Sequence, residues 1–197
     1  QYVLDIGAYR GVFSNTILSV WSTSIINQFE ADERQKEFLN KDAYIVLLGD
    51  KPKKVNFYTL ATNEENKTTG SSIYKENTNF YSEKNTIVVE KEMVTLDSLD
   101  EKYNFFGDWS QKGLIKIDTQ GSELLVLSGA KNFLKKRKPR FILLECPVGE
   151  YNMGSPKFHD YIYFMKQHNY VIKDVFDLTY DIGNLLQIDL LFERENI

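Results

Sequence analysis

The apolar residues of this chain fall into short runs separated by stretches with helical periodicity. Tyr2–Ile6, Ile25–Phe29, Tyr44–Leu48, Leu114–Ile117 and Phe141–Leu144 have the length and apolar density of strands buried on both faces of a sheet. Val55–Leu60 and Thr86–Met93 read as further strands. Between these runs Phe13, Ile17, Val20 and Trp21 recur at helical spacing, and a charged helical stretch covers 33–40. Thr95–Tyr103 reads as a helix capped by Thr95 or Asp97. Ser122–Leu134 is helical, with Leu124, Leu127, Ala130 and Phe133 or Leu134 on one face. Ser155-Pro156 supplies a cap and a first-turn proline for a helix that buries Phe158, Tyr161, Ile162 and Met165. Val171–Phe176 and Leu186–Phe192 flank the polar turn Thr179–Asn184 and predict an antiparallel hairpin that closes the sheet. Strands alternating with helices predict an α/β fold with a mostly parallel, doubly wound sheet and helices on both faces.

The first run carries the most chemistry. Asp5 stands near its carboxyl end, and Gly7 and Gly11 bracket the turn into the first helix. A strand, a glycine turn and a helix in this order form a nucleotide-type cradle, with backbone free to approach a ligand and helix N–H groups pointing at it. The second glycine of the dinucleotide fingerprint lets a pyrophosphate lie against bare backbone. Tyr9 occupies that place, which disfavours NAD or FAD and permits a nucleoside ligand without phosphates. The second run ends in Glu30, an acid placed to accept hydrogen bonds from ribose hydroxyls.

Asp5–Ser14 (Asp-Ile-Gly-Ala-Tyr-Arg-Gly-Val-Phe-Ser) resembles the cofactor turn of the FkbM-type S-adenosylmethionine-dependent methyltransferases. Four later segments resemble the same family in the same order: Phe29–Asp32, Val94–Leu99, Leu114–Glu123 and Gln187–Phe192. The block around Asp118 is the most specific, and the family usually carries Asn where this chain has Tyr9. The resemblance implies a Rossmann-like class I methyltransferase with a seven-stranded sheet and an antiparallel C-terminal strand. It implies S-adenosyl-L-methionine as cofactor, held by Asp5, Gly7, Ala8, Tyr9, Gly11, Glu30 and Asp118, with Asp50 near the adenine amino group. It also implies O-methylation of a hydroxyl on a sugar, glycan or natural product. Gly70-Ser71-Ser72 resembles a family segment near the cofactor, which makes Ser71 and Ser72 candidates for a cofactor or substrate contact.

Asp5, Glu30, Asp118 and Glu145 are all expected at strand carboxyl ends, where ligands of doubly wound sheets bind. An alcohol acceptor needs a base as its oxygen attacks an activated methyl group, and no metal is strictly required. Asp118 and Glu145 are the candidates nearest the expected methyl position, with Glu123 one helical turn further on as a candidate on the acceptor side. His159, early in the helix after Glu145, is a third candidate base, whereas His168 reads as a helix-end residue. The chain has no Pro-Pro pair, so it lacks the proline-proline-aromatic motif of amino-group methyltransferases, which disfavours methylation of nucleic-acid bases. A catalytically silent cofactor-binding or scaffold domain of the same fold is the alternative reading.

Composition changes this picture little. The chain of 197 residues, 42% hydrophobic and 26% charged, reads as one globular domain with a polar stretch at 61–85 that suggests a lid. A net charge of −4 gives no reason to expect nucleic acid. The basic run Lys135–Arg140 falls at a helix C-terminus, where positive charge complements the dipole. A lone Cys146 and the lack of a membrane-length apolar run suggest a cytoplasmic protein that acts on a small molecule or glycan without a membrane partner. Asn66-Lys67-Thr68 would be a glycosylation acceptor only in a secreted protein. The chain starts at Gln1 and runs straight into a core strand, so a further upstream segment is expected.

Overall fold

A computed structural model of the chain describes residues 1–61 and 70–195. Strands β1 (Tyr2–Ile6), β2 (Ile25–Glu30), β3 (Tyr44–Ile45), β7 (Gly113–Ile117), β8 (Phe141–Pro147), β9 (Tyr170–Asp181) and β10 (Asn184–Arg194) form one sheet in the order β3-β2-β1-β7-β8-β10-β9. All pairs are parallel except β8–β10 and β10–β9. Strand order reverses between β1 and β7, so their carboxyl ends open a crevice at the centre of the sheet. The predicted α/β architecture, with its antiparallel closing hairpin, is therefore what the chain forms.

A second sheet was not foreseen. β4 (Leu47–Leu48), β5 (Lys53–Leu60) and β6 (Thr86–Val94) make a three-stranded layer in the order β4-β6-β5. The run 44–48 is thus two short strands rather than one. Val46 donates its N–H to the Glu30 carbonyl at 2.8 Å and is the hinge at which the chain leaves the first sheet for the second.

The helices are α1 (Val12–Val20), α2 (Leu96–Tyr103), α3 (Trp109–Lys112), α4 (Glu123–Ser128), α5 (Lys131–Arg137) and α6 (Phe158–Gln167). The Thr95 hydroxyl caps α2 by accepting the Ser98 N–H at 3.1 Å, as predicted. The stretch 33–40 forms a 3-10 helix, Glu33–Phe38, instead of an α-helix. The expected helix Ser122–Leu134 is broken into α4 and α5 at Gly129. A Cβ there would sit 1.9 Å from the Gly49 carbonyl oxygen, so only glycine allows the close approach. Asp97 then caps the second piece, accepting the N–H groups of Asn132 and Phe133 at 3.0 and 2.8 Å. The last turn of α5 carries Lys135, Lys136 and Arg137, and Arg137 pairs with Asp100 at 2.8 Å.

The closing hairpin is longer than expected, because the polar residues Thr179–Asp181 continue the strand and only Ile182-Gly183 make the turn. Its strands pair with three register shifts.

Alternation in the central strands aims Ile115, Ile117, Ile142, Leu144, Cys146, Leu190 and Phe192 into the main core, where all are fully buried with Tyr161 and Met165 of α6. The opposite set, Lys116, Leu143 and Glu145, is only half-buried, and Asp189 lies directly across from Glu145 on the neighbouring strand. The same pleat that builds the core therefore lines up polar residues toward the carboxyl rim.

Candidate active site

The glycine turn is stitched to the second strand. Gly7 and Ala8 both donate their N–H groups to the Phe29 carbonyl, at 2.9 and 3.0 Å. Gly7 has φ +72°, and a Cβ on it would lie 1.8 Å from the Asp118 carbonyl oxygen. The ends of β1 and β7 can approach this closely only with glycine at position 7. Tyr9, at φ +50°, donates its N–H to Glu30 Oε2 at 2.8 Å, and Asp32 donates to Glu30 Oε1 at 2.7 Å. Burial pushes the Glu30 carboxyl up to about 7, although the Asp32 and Tyr9 N–H groups favour its charged form.

Asp5 lies beneath this turn and does not reach the pocket wall. It is fully buried, its Oδ2 accepts the Ser14 hydroxyl at 2.6 Å, and its Oδ1 faces the Lys116 ammonium at 3.6 Å. Burial raises its carboxyl, with Lys116 acting in the opposite sense. Lys116 also donates to the Gly7 carbonyl at 2.8 Å and pairs with Asp118 at 3.3 Å. Burial works against its charge, but Asp118 and Asp5 outweigh burial and hold its pKa above the ordinary lysine value. Asp5 thus organises the turn from below through Ser14 and Lys116.

A pocket opens directly above. It encloses about 790 Å3 of unfilled space, open solvent included. Gly7, Tyr9, Glu30 and Asp118 of the predicted set line it. Leu47, Leu48, Phe57 and Ile73 supply an apolar side, which comes mostly from the unforeseen second sheet. Asp32 lines it as well and accepts the Arg34 guanidinium at 2.9 and 3.1 Å through Nε. Burial raises the Asp32 carboxyl, but the Arg34 hydrogen bonds prevail and hold it low.

Ser71 and Ser72 both line the pocket from a strap that runs between β5 and the loop after β8. Ser72 pairs with Tyr58 of β5 through both backbone hydrogen bonds, at 2.7 and 3.0 Å, and Glu76 bridges to Asn152 beyond β8. The Ser72 hydroxyl approaches the carbonyls of Thr119 and Gln120, at 3.1 and 2.8 Å. Ser71 Oγ is 2.7 Å from Thr59 Oγ1. The 61–85 lid expectation is described here only from residue 70 onward. Residues 62–69, with the Asn66-Lys67-Thr68 sequence, lie outside the described residues.

Glu123 is a turn-holder. Its Oε1 accepts the N–H groups of Thr119 and Gly121 at 2.8 and 3.0 Å, and its Oε2 accepts the Tyr161 hydroxyl at 2.5 Å. It is fully buried, and burial raises its carboxyl against the pull of those donors.

Glu145 sits one strand over from Asp118, half-buried at the rim. Burial raises its carboxyl well above the usual range, and Asp118, Glu123 and Asp189 add to the rise. Asp189, opposite Glu145 in the β8–β10 register, is pushed up to about 7 by burial and by Asp118 and Asp177. Sequence reasoning did not single out Asp189, although it lies inside Gln187–Phe192.

Besides Asp5, Glu123 and Glu145, which stand outside the pocket lining, four predicted residues sit elsewhere. His159 is on the surface, its side chain 81% exposed, 3.5 Å from Asp160. Asp50 pairs with Lys53 at 2.8 Å and does not line the pocket, and Ala8 and Gly11 stand behind the turn. Gln120 was missed. It lines the pocket at φ +56°, and its Nε2 donates to Asp118 Oδ1 at 2.9 Å and Glu145 Oε2 at 2.8 Å.

The model of the methyltransferase FkbM domain matches residues 5–172. The chain belongs to the FkbM methyltransferase family. Its cofactor is S-adenosyl-L-methionine, and the glycine cradle, the acid at the end of β2 and the apolar wall fit a nucleoside with a cationic tail. The chain is also similar to several solved structures. One is the putative tRNA (m1A22) methyltransferase of Streptococcus pneumoniae in complex with S-adenosyl-L-methionine, at 13% identity and a TM-score of 0.47 over 99% of this chain and 66% of that one. Another is the precorrin-6y C5,15-methyltransferase of Geobacter metallireducens, at 11% identity and a TM-score of 0.47 over 99% and 80%. This chain spans 64% to 66% of the length of the Streptococcus structures it matches. No curated protein matches it. Among the described residues no cluster of His, Cys, Asp and Glu could hold a metal ion, and no helix is long and apolar enough to cross a membrane.

Proposed function

We propose that this FkbM methyltransferase transfers a methyl group to a hydroxyl oxygen of a sugar, glycan or natural-product acceptor. The supporting observation is the Asp118–Glu145 pair beside the cofactor pocket: Asp118 and Gln120 line the wall, the Gln120 amide joins Asp118 to Glu145 just outside the lining, and Lys116 pairs with Asp118. S-adenosyl-L-methionine supplies an activated methyl group, so the protein's task is to align the acceptor and take its proton. Glu30 has lone pairs left for ribose hydroxyls, and Leu47, Leu48, Phe57 and Ile73 offer a surface for an adenine ring. Glu145 takes the acceptor proton, a role suited to a carboxyl whose affinity for protons burial has increased. The chain's lack of any Pro-Pro pair agrees with oxygen rather than base nitrogen as the acceptor atom.

Calorimetric titration with S-adenosylhomocysteine, with NADH as control, is the first test. One-to-one binding of the former alone is expected, lost in Glu30→Ala and kept in Glu145→Gln. Labelled-methyl transfer to panels of hydroxyl and amine acceptors then decides the atom. Methylation confined to amines would overturn the oxygen assignment.

A further inference from the structure

Gln120 is held from three directions, and none of them serves the core. Its backbone is in the left-handed region, which β-branched and bulky residues avoid. Its carbonyl lies 2.8 Å from the hydroxyl of Ser72 on the strap, and that same hydroxyl oxygen accepts the Tyr74 N–H at 3.2 Å. Its side-chain amide nitrogen donates to one oxygen of Asp118 and one of Glu145. Only the nitrogen end of an amide can donate to two carboxylates, so the orientation follows from the chemistry.

The geometry points to Gln120 as a positioning residue that ties Asp118 on the pocket wall and its neighbour Glu145 to the strap that carries Ser72. The inference rests on the methyltransferase reading for its purpose, but the arrangement can be tested without it. Two carboxylates on neighbouring strand ends repel each other, and a neutral bidentate donor between them offsets that repulsion without a fixed positive charge. A lysine in its place would lower the affinity of Glu145 for a proton. An apolar residue would remove the donor and raise that affinity further. The glutamine amide fixes where the Glu145 oxygens point while leaving the acid able to gain and lose a proton. Ser72 extends the arrangement, because its hydroxyl lies within hydrogen-bond distance of the Thr119 and Gln120 carbonyls while its backbone pairs with Tyr58.

Other groups also bear on Glu145. Lys116 and Asp118 come from β7 and its end, Glu123 from α4, Asp189 from β10, Tyr151 from the loop after β8, and Tyr161 from α6. Lys116 lowers the Glu145 carboxyl, and Asp118, Glu123 and Asp189 raise it. Substitutions at Gln120 leave all of these in place, so they isolate the amide.

The test is a carbon-13 NMR titration of the side-chain carboxyls in the ligand-free protein, with the Glu145 signal assigned by its loss in Glu145→Gln. In the wild type the Glu145 midpoint lies above the ordinary glutamate range. Gln120→Leu raises it by about one pH unit, the scale of a lost hydrogen bond to a charged group. Gln120→Lys lowers it. Ser72→Ala, which keeps the amide but frees the turn, raises it by about half as much. Should Gln120→Leu fail to fold, Gln120→Lys and Ser72→Ala decide the matter by their opposite shifts. Midpoints unchanged in the variants that fold would overturn the inference, since a merely structural role alters melting temperature and not titration. Failure of the wild type to bind S-adenosylhomocysteine would count against the pocket's cofactor assignment and leave this result standing.

Discussion

The Tyr161 hydroxyl donates a 2.5 Å hydrogen bond to Glu123 Oε2, joining α6 to the first turn of α4 through two fully buried side chains. The other oxygen of the same carboxylate fixes the backbone of Thr119 and Gly121. The turn that presents Gln120 to the pocket is therefore secured from behind by a helix remote from the cofactor. Tyr161→Phe is expected to cost about 2 kcal/mol of stability, the scale of one hydrogen bond to a charged group. Glu123→Ala, which orphans the tyrosine and two N–H groups together, is expected to cost about 3 kcal/mol or more. Urea denaturation of both variants measures this, and a larger loss in Tyr161→Phe than in Glu123→Ala would contradict the arrangement.

Gly7→Ala forces a methyl group onto the Asp118 carbonyl and an alanine into a left-handed conformation. Cofactor affinity is expected to fall by at least about tenfold, because about 1.4 kcal/mol of strain in the bound turn is enough for that. Calorimetry with S-adenosylhomocysteine reads the change. Unchanged affinity would mean that the turn does not contact the ligand.

Stability should respond to pH through Asp189. Its folded pKa of about 7 lies above that of an unfolded aspartate, so the folded state binds the extra proton. The carboxyl therefore costs nothing at pH 3, and its cost grows as pH rises toward 7 and then levels off. Asp189→Asn removes that cost. Allowing for its partial exposure to solvent, the variant is expected to gain about 1 kcal/mol over the wild type at pH 8 and less at pH 5. Denaturant midpoints at the two pH values check the sign, and an equal effect at both would exclude the proton linkage.

His159→Ala is expected to leave cofactor affinity unchanged and methyl transfer within about twofold of wild type, since its ring points into solvent. A hundredfold loss of turnover would return the histidine to the site.

The parallel part of the sheet was legible because its strands read as short, nearly continuous apolar runs. The order of Asp5, Glu30, Asp118 and Glu145 at strand ends followed from the same runs. What those acids touch was not legible. Asp5 and Glu123 carry the residue type expected of ligand contacts, yet each is turned inward to hold a turn by partners distant in sequence, Lys116 and Tyr161. Gln120 left no periodic signal, because its role depends on a left-handed backbone and on two carboxylates that come together only after folding. The split of 44–48 between two sheets was equally hidden, since a crossing at Val46 leaves the apolar run uninterrupted. Gly129 did carry a signal, as a glycine inside a helical pattern, and the break falls there.

Cys146 lies in β8, between β7 and β10, with none of its surface exposed and its thiol raised by burial. A thiol reagent can reach it only when the middle of the sheet parts. Because the sequence has no other cysteine, the rate of alkylation in native buffer becomes a clock for that parting. Any ligand that grips the ends of β1 and β7 should slow it, so a reagent with no knowledge of the methyl acceptor can still reveal what the pocket binds.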